Sequence, residues 1–300
     1  MGGVVSGAST ELDGVVSLVT GSSRGIGKGI AKVLASKGAT VYVTGRTLYS
    51  VDHPLGGAVV ETAAECDALG GKGIPIQIDF ADDEQVASLF ERIQSESGRL
   101  DILVNNAFSL ADDLVVDKPF WEKPLSNWQM IDVGVRSSFV CAWHAAKIMA
   151  PQGSGLMVQT SGYTGVAYTY GVLFGMAKTA ADRMARDMAV ELEPFNVASV
   201  SLWQGLTMTE LAKKNLAEVE GLEGRPSTRL SDSSSPEFPG LVIAELYRDA
   251  DKMKLTGGTF ITAELAQSYG LVDIDGKKVP SLRDTRGAPI FLPINGGGDE

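Results

Sequence analysis

From residue 15 to residue 204, short apolar runs alternate with stretches whose apolar side chains recur every three or four positions. The short runs cover 15–20, 40–44, 73–79, 100–104, 156–160 and 197–203. Continuous apolar runs of that length predict strands buried on both faces. Between them, Ile26, Ile30, Val33 and Leu34 share one helical face that stops at Gly38. Helical patterns also span 59–69, 83–97, 128–149 and 178–192. In 83–97 the inward stripe is Val86, Leu89, Phe90 and Ile93; in 128–149 it is Ile131, Val135, Phe139, Trp143, Ala146 and Met149. Further helices are expected at 207–216, 241–247 and 263–269, with a seventh strand at 258–262.

Such strand–helix alternation predicts an α/β chain with a single-domain Rossmann fold. Its seven-stranded sheet is parallel and doubly wound, with helices on both faces and the ligand at the strand carboxyl ends. No internal repeat or linker divides residues 1–300, so one domain is expected. Residues 1–12 read as a flexible start and 277–300 as a surface tail. Residues 205–236, polar and rich in Gly, Ser and Pro towards their end, read as a substrate lid.

Composition narrows the class. The net charge of −11 argues against nucleic-acid partners, which need a basic surface. With only Cys66 and Cys141, neither a disulfide framework nor a metal cluster is expected, and a reducing, cytoplasmic setting follows. His53 and His144 are isolated, and His144 falls in an apolar helical pattern that suits a core residue. There is no signal-peptide pattern, and no run approaches the roughly 18 to 20 apolar residues of a membrane span.

The chemistry begins at Thr20-Gly21-Ser22-Ser23-Arg24-Gly25-Ile26-Gly27, between the first strand and first helix. There Gly21 permits a tight turn, Gly25 lets backbone N–H groups approach a pyrophosphate, and Gly27 lets the helix pack close. After the second strand stands Arg46 rather than an acid; with Arg24 it favours the 2′-phosphate of NADP over NAD. Asp79, at the tip of the third strand, is a candidate adenine contact. Asn105-Asn106-Ala107 closes the fourth strand, where amides can cross-link neighbouring loops. Ser161 ends the fifth strand, and Lys178 follows Phe174 by one helical turn. A hydroxyl and a lysine at that spacing suit carbonyl reduction, yet Phe174 carries no oxygen where an acid should stand.

Together these residues resemble the classical short-chain dehydrogenase/reductases. Thr20-Gly21 with Gly25-Ile26-Gly27 matches that family's glycine loop, and Asn105-Asn106-Ala107 its Asn-Asn-Ala-Gly turn, with Phe108 in place of glycine. Ser161 and Lys178 match its serine and lysine, and Phe174 falls at its catalytic tyrosine. The resemblance implies an NADP(H)-dependent oxidoreductase that reduces a carbonyl or oxidises an alcohol. It puts Gly21, Ser23, Arg24, Gly25, Ile26, Gly27, Arg46, Asp79, Asn106, Ala107, Lys178, Gly205 and Thr207 at the cofactor, and Phe108, Tyr163, Tyr168 and Trp203 near the substrate. It also implies a homodimer or homotetramer joined through the helix at 178–192 and its neighbour.

Two further departures are Gly134, where many members have an asparagine of a proton relay, and Gln204-Gly205 for Pro-Gly. Phe174 leaves three readings open. It is an introduced Tyr→Phe change; or Tyr163, Tyr168 or Tyr170 has taken over the acid's role; or the chain is a non-redox catalyst (dehydratase, isomerase or cyclase) or a cofactor-binding protein on this fold.

Overall fold

The computed structural model describes residues 11–114, 116–219 and 232–295. Seven parallel strands run in the order β3-β2-β1-β4-β5-β6-β7. They are β1 (Val16–Val19), β2 (Thr40–Gly45), β3 (Lys72–Gln77), β4 (Ile102–Asn105), β5 (Gly155–Gly162), β6 (Val197–Gln204) and β7 (Thr259–Ile261). The order reverses between β1 and β4, which opens a crevice beyond their carboxyl ends, where the glycine loop lies.

The helices are α1 (Gly25–Ser36), α2 (Val59–Ala68), α3 (Asp83–Ser97), α4 (Gln129–Ile131), α5 (Ser137–Gln152), α6 (Val172–Leu192), α7 (Glu210–Val219), α8 (Phe238–Arg248), α9 (Thr262–Ser268) and α10 (Arg283–Arg286). Two apolar cores result, one on each face of the sheet. One gathers Ile30 and Leu34 of α1 with Val242 and Ile243 of α8; the other gathers Val86 and Phe90 of α3 with Cys141 and Ala145 of α5. The expected sandwich of helices around a buried parallel sheet is what forms.

Several boundaries and faces differ from expectation. Leu12, assigned to a flexible start, is fully buried, and its N–H donates to the carbonyl of Lys37. The helix expected from 128 to 149 is interrupted by a π-helical segment, Asp132–Arg136, before α5 begins. That extra residue per turn rotates the stripe, so Phe139 and Trp143 are half exposed while Ser138, Cys141 and Ala145 face inward. Helix α6 starts at Val172 rather than Lys178, carrying Phe174 and Lys178 on one rigid element. The alanines at 177, 181, 185 and 189 are buried, on a helix that packs against β5 and β6 of its own sheet. Most of the polar stretch expected in the lid, 220–231, lies outside the described residues. In the tail, the carbonyl of Phe291 accepts from the Thr259 N–H, beside β7.

Candidate active site

The glycine loop is held from behind by the turn after β4. Asn106 donates through Nδ2 to the carbonyls of Thr20 (2.9 Å) and Gly21 (3.0 Å), and the N–H groups of Asn106 and Ala107 both donate to Thr20 Oγ1. Asn105 ties the turn the other way, its Nδ2 donating to the carbonyl of Ser138 on α5 at 3.1 Å. Gly21 has φ of +66° and Gly25 of +58°, both in the region that favours glycine. At Gly25 the N–H donates to Glu210 Oε2 at 3.0 Å, across from the start of α7. A carboxylate thus sits on the N–H that opens α1, where the helix terminus favours an anion. This fits a loop built to receive a phosphate group.

The two arginines divide their tasks. Arg24 turns back, its Nε donating to the carbonyl of Gly56 and its Nη2 to Thr47 Oγ1 and the carbonyl of Gly57. It thereby holds the connection between β2 and α2. Burial lowers its pKa, and Glu210 partly offsets that. Arg46 is exposed at the end of β2, with its carbonyl accepting from Gln77 Nε2. Asp79 is half buried and accepts from the Ala81 N–H. Ser23 is buried in the loop, and Thr207 is buried beside Ser234.

Lys178 lies at the far side of the same crevice. Its ammonium donates to the carbonyl of Thr160 (3.1 Å) and lies 4.7 Å from the ring centre of Phe108 and 5.6 Å from that of Phe174. Phe174 packs edge-on against both Phe108 (5.3 Å) and Tyr170 (5.1 Å). A Cβ at Gly134 would collide with the Phe108 ring, reaching its Cδ2 at 2.6 Å. Two positions that look independent in the sequence, Phe108 and Gly134, are thus in steric contact. The ring fills the space that a side chain at Gly134 would take.

Three assigned residues do not meet in this cleft. Trp203 is fully buried, and its Nε1 donates to Asp182 at 2.8 Å. Tyr163 is buried against Trp203, and its hydroxyl accepts from the Leu282 N–H of the tail. Both join the apolar core at the carboxyl end of the sheet, and both line a small cavity with Gly205 and Thr262. Tyr168 is 84% exposed, out on the surface. Ser161 is also buried, with its hydroxyl donating to the carbonyl of Lys178 at 3.1 Å.

Sequence reasoning missed Asp182, which is 3% exposed and lies one turn beyond Lys178. Its signal was legible: an acid stands on a helix face otherwise made of alanines. It also missed Gln159, whose Nε2 lines the small cavity beside Lys178 with Asn105 Oδ1, both without a hydrogen-bond partner among the described residues.

The model of the short chain dehydrogenase family matches residues 15–220. The chain belongs to that family. As a short-chain dehydrogenase it is 40% identical over 276 residues to dehydrogenase/reductase SDR family member 1 of Mus musculus, covering 89% of this chain and 86% of the mouse protein. The human protein of that name is 39% identical over 279 residues, covering 90% of this chain and 87% of its own. A solved short-chain type dehydrogenase/reductase from Mycobacterium marinum matches with a TM-score of 0.71 at 30% identity, over 83% of this chain and 94% of that one. The short-chain dehydrogenases are oxidoreductases that use a nicotinamide cofactor, and the glycine loop described above lies in the matched span. Among the described residues no helix is long and apolar enough to cross a membrane.

Proposed function

We propose that this short-chain dehydrogenase is an NADP(H)-linked carbonyl reductase or alcohol dehydrogenase with Phe174 at the position of its acid. The reading is carried by one observation. Lys178 and the Phe174 ring stand beside the Asn105–Phe108 turn, and that turn is itself bonded to the glycine loop. Cofactor end and reacting end are therefore built as one unit.

Gly21, Ser23, Gly25, Ile26 and Gly27 would hold the pyrophosphate, with Arg24 bracing the loop from the side. Arg46 would meet the 2′-phosphate and Asp79 the adenine, while Asn106, Ala107, Gly205 and Thr207 would border the nicotinamide half. When bound, the nicotinamide supplies or accepts the hydride. Lys178 would hold the nearby ribose and place a positive charge beside position 174. Ser161 would serve the substrate oxygen once its hydroxyl turns away from the Lys178 carbonyl. Phe174 moves no proton, so cofactor binding with weak turnover is expected; losing a general acid costs about 10²- to 10⁴-fold. The half-exposed Phe139 and Trp143 support a homodimer or homotetramer joined through α5 and α6.

Energy transfer from tryptophan to NADPH tests the first half of the reading, and its absence at millimolar cofactor would sink it. For cofactor choice, Arg46→Ala is expected to weaken NADPH binding by about tenfold or more, the loss of a charge-assisted phosphate contact, and to leave NADH nearly unchanged. Equal losses for both cofactors would remove the preference for NADP(H). A pH effect follows from burial, which pulls Lys178 from its ordinary value of 10.5 down to about 8. The lysine is charged below that pH and neutral above it. NADPH binding should therefore weaken as pH rises through about 8, and a binding curve flat from about pH 6 to 9.5 would contradict it.

A further inference from the structure

Beneath the cleft, Asp182 is a buried acid that the site as described does not use. It lies on α6 one turn past Lys178, a spacing that puts the two side chains on the same helix face. Ser201 donates to Asp182 Oδ1 through its hydroxyl at 2.6 Å, and Trp203 donates to Oδ2 through Nε1 at 2.8 Å. An indole N–H can only donate, so Oδ2 is an acceptor, while the Ser201 hydroxyl satisfies Oδ1. A Cβ at Gly165 would stand 3.0 Å from Oδ2, so the carboxylate is closed in from that side as well.

The surroundings of Lys178 are otherwise uncharged. Strand β5 offers the Thr160 carbonyl and the Ser161 hydroxyl, β6 offers Ser201 and Trp203, and the β4–α4 connection offers the Phe108 ring. From the turn after β5, the Tyr163 phenol packs on Trp203 and accepts from the Leu282 N–H. Ser161 holds the backbone of Lys178, Thr160 holds its ammonium, and Asp182 ties the next turn of α6 to β6.

We propose that Asp182 is the positioning residue for Lys178: its buried carboxylate is the counter-charge that keeps the lysine protonated and anchors its helical turn to β6. This rests on the reading of Lys178 as the cation of the reductase site. Burial is the larger influence on each group, lowering Lys178 and raising Asp182, and each charge partly offsets the burial of the other. Hydrogen bonds from Ser201, Ser161 and Trp203 draw the Asp182 pKa back down against its burial.

The test is the titration of Lys178 itself, read in the full chain without cofactor by NMR of labelled lysine and assigned with Lys178→Arg. Asp182→Asn retains an acceptor for Trp203 but removes the charge. It is expected to move the Lys178 midpoint down by about one pH unit, the size of a near opposite-charge interaction, and to weaken NADPH binding at neutral pH in parallel. A folded Asp182→Asn protein with an unchanged midpoint overturns the proposal. So does a shifted midpoint with unchanged NADPH binding, provided the parent chain binds NADPH. If the parent chain binds none, it is the reductase reading that fails, and the midpoint still reports on Asp182.

Should Asp182→Asn fail to fold, the reciprocal variant Lys178→Met measures the same coupling from the other side. Removing the cation raises the folded-state pKa of Asp182 further above its unfolded value. The stability tied to that raised pKa is full at low pH and is lost as pH rises through it. Lys178→Met should therefore lose stability more steeply than the parent chain as pH rises above the ordinary carboxylate range. Parallel curves for the two proteins overturn the proposal.

Discussion

Phe174→Tyr is expected to raise NADPH-linked carbonyl turnover by about 10²- to 10⁴-fold, the range over which a general acid acts. The ring is already in place. It packs edge-on between Phe108 and Tyr170, and Lys178 Nζ lies 5.6 Å from its centre. A tyrosine adds one oxygen to that ring and leaves its shape unchanged, so little repacking opposes it. The positive charge of Lys178 would favour the phenolate and bring the phenol closer to useful acidity at neutral pH. The measurement is NADPH consumption over a broad panel of ketones and aldehydes, for both proteins at equal cofactor saturation. A gain of less than tenfold would sink the reductase reading and favour a non-redox or purely cofactor-binding role. Tyr163→Phe should leave turnover as it is, since that phenol lies in the core against Trp203.

Gly27→Ala should be the most damaging small change to the cofactor end. A Cβ there would overlap the carbonyl of Gly21 and stand 2.5 Å from Asn106 Nδ2. Those two groups are the acceptor and donor of the bond that ties the glycine loop to the turn after β4. Forcing a methyl group between them costs about 1–3 kcal/mol of strain, with about 1 kcal/mol more for the lost hydrogen bond. NADPH affinity should therefore fall by roughly 30-fold or more. Gly29→Ala is the natural comparison, because its Cβ would meet the backbone at Pro236 and Glu237, where α8 begins. That variant should lose thermal stability by several degrees yet bind NADPH normally while folded. Similar cofactor losses in both would show that the Gly27 effect is a general loss of packing.

Much of this molecule could be read along the chain. The strand runs were legible because a strand buried on both faces must be continuously apolar, and Val104 and Val158 are fully buried in that way. The glycine loop was legible because its positions answer to local backbone geometry, as the positive φ of Gly21 and Gly25 shows. Helix faces were less secure. Phe139 and Trp143 fit a regular helical period, but the π-helical turn around Gly134 shifted it. That turn sits where the Phe108 ring approaches a glycine, a contact with no local signature.

The sequence by itself determined the class of fold, the place of the glycine loop, and the spacing that sets Ser161, Phe174 and Lys178 in one neighbourhood. Local periodicity and turn chemistry act over a few residues, and those features need no more. Only the tertiary structure decided which way the side chains point. It turned Tyr163 and Trp203 inward, set Asp182 under Lys178, used Arg24 to brace a loop, and matched Phe108 to Gly134. Each of those outcomes depends on close packing or on satisfying a buried polar group with a partner from elsewhere in the chain. The Tyr163 hydroxyl finds its donor 119 residues away, at Leu282, and nothing in either local pattern records the other.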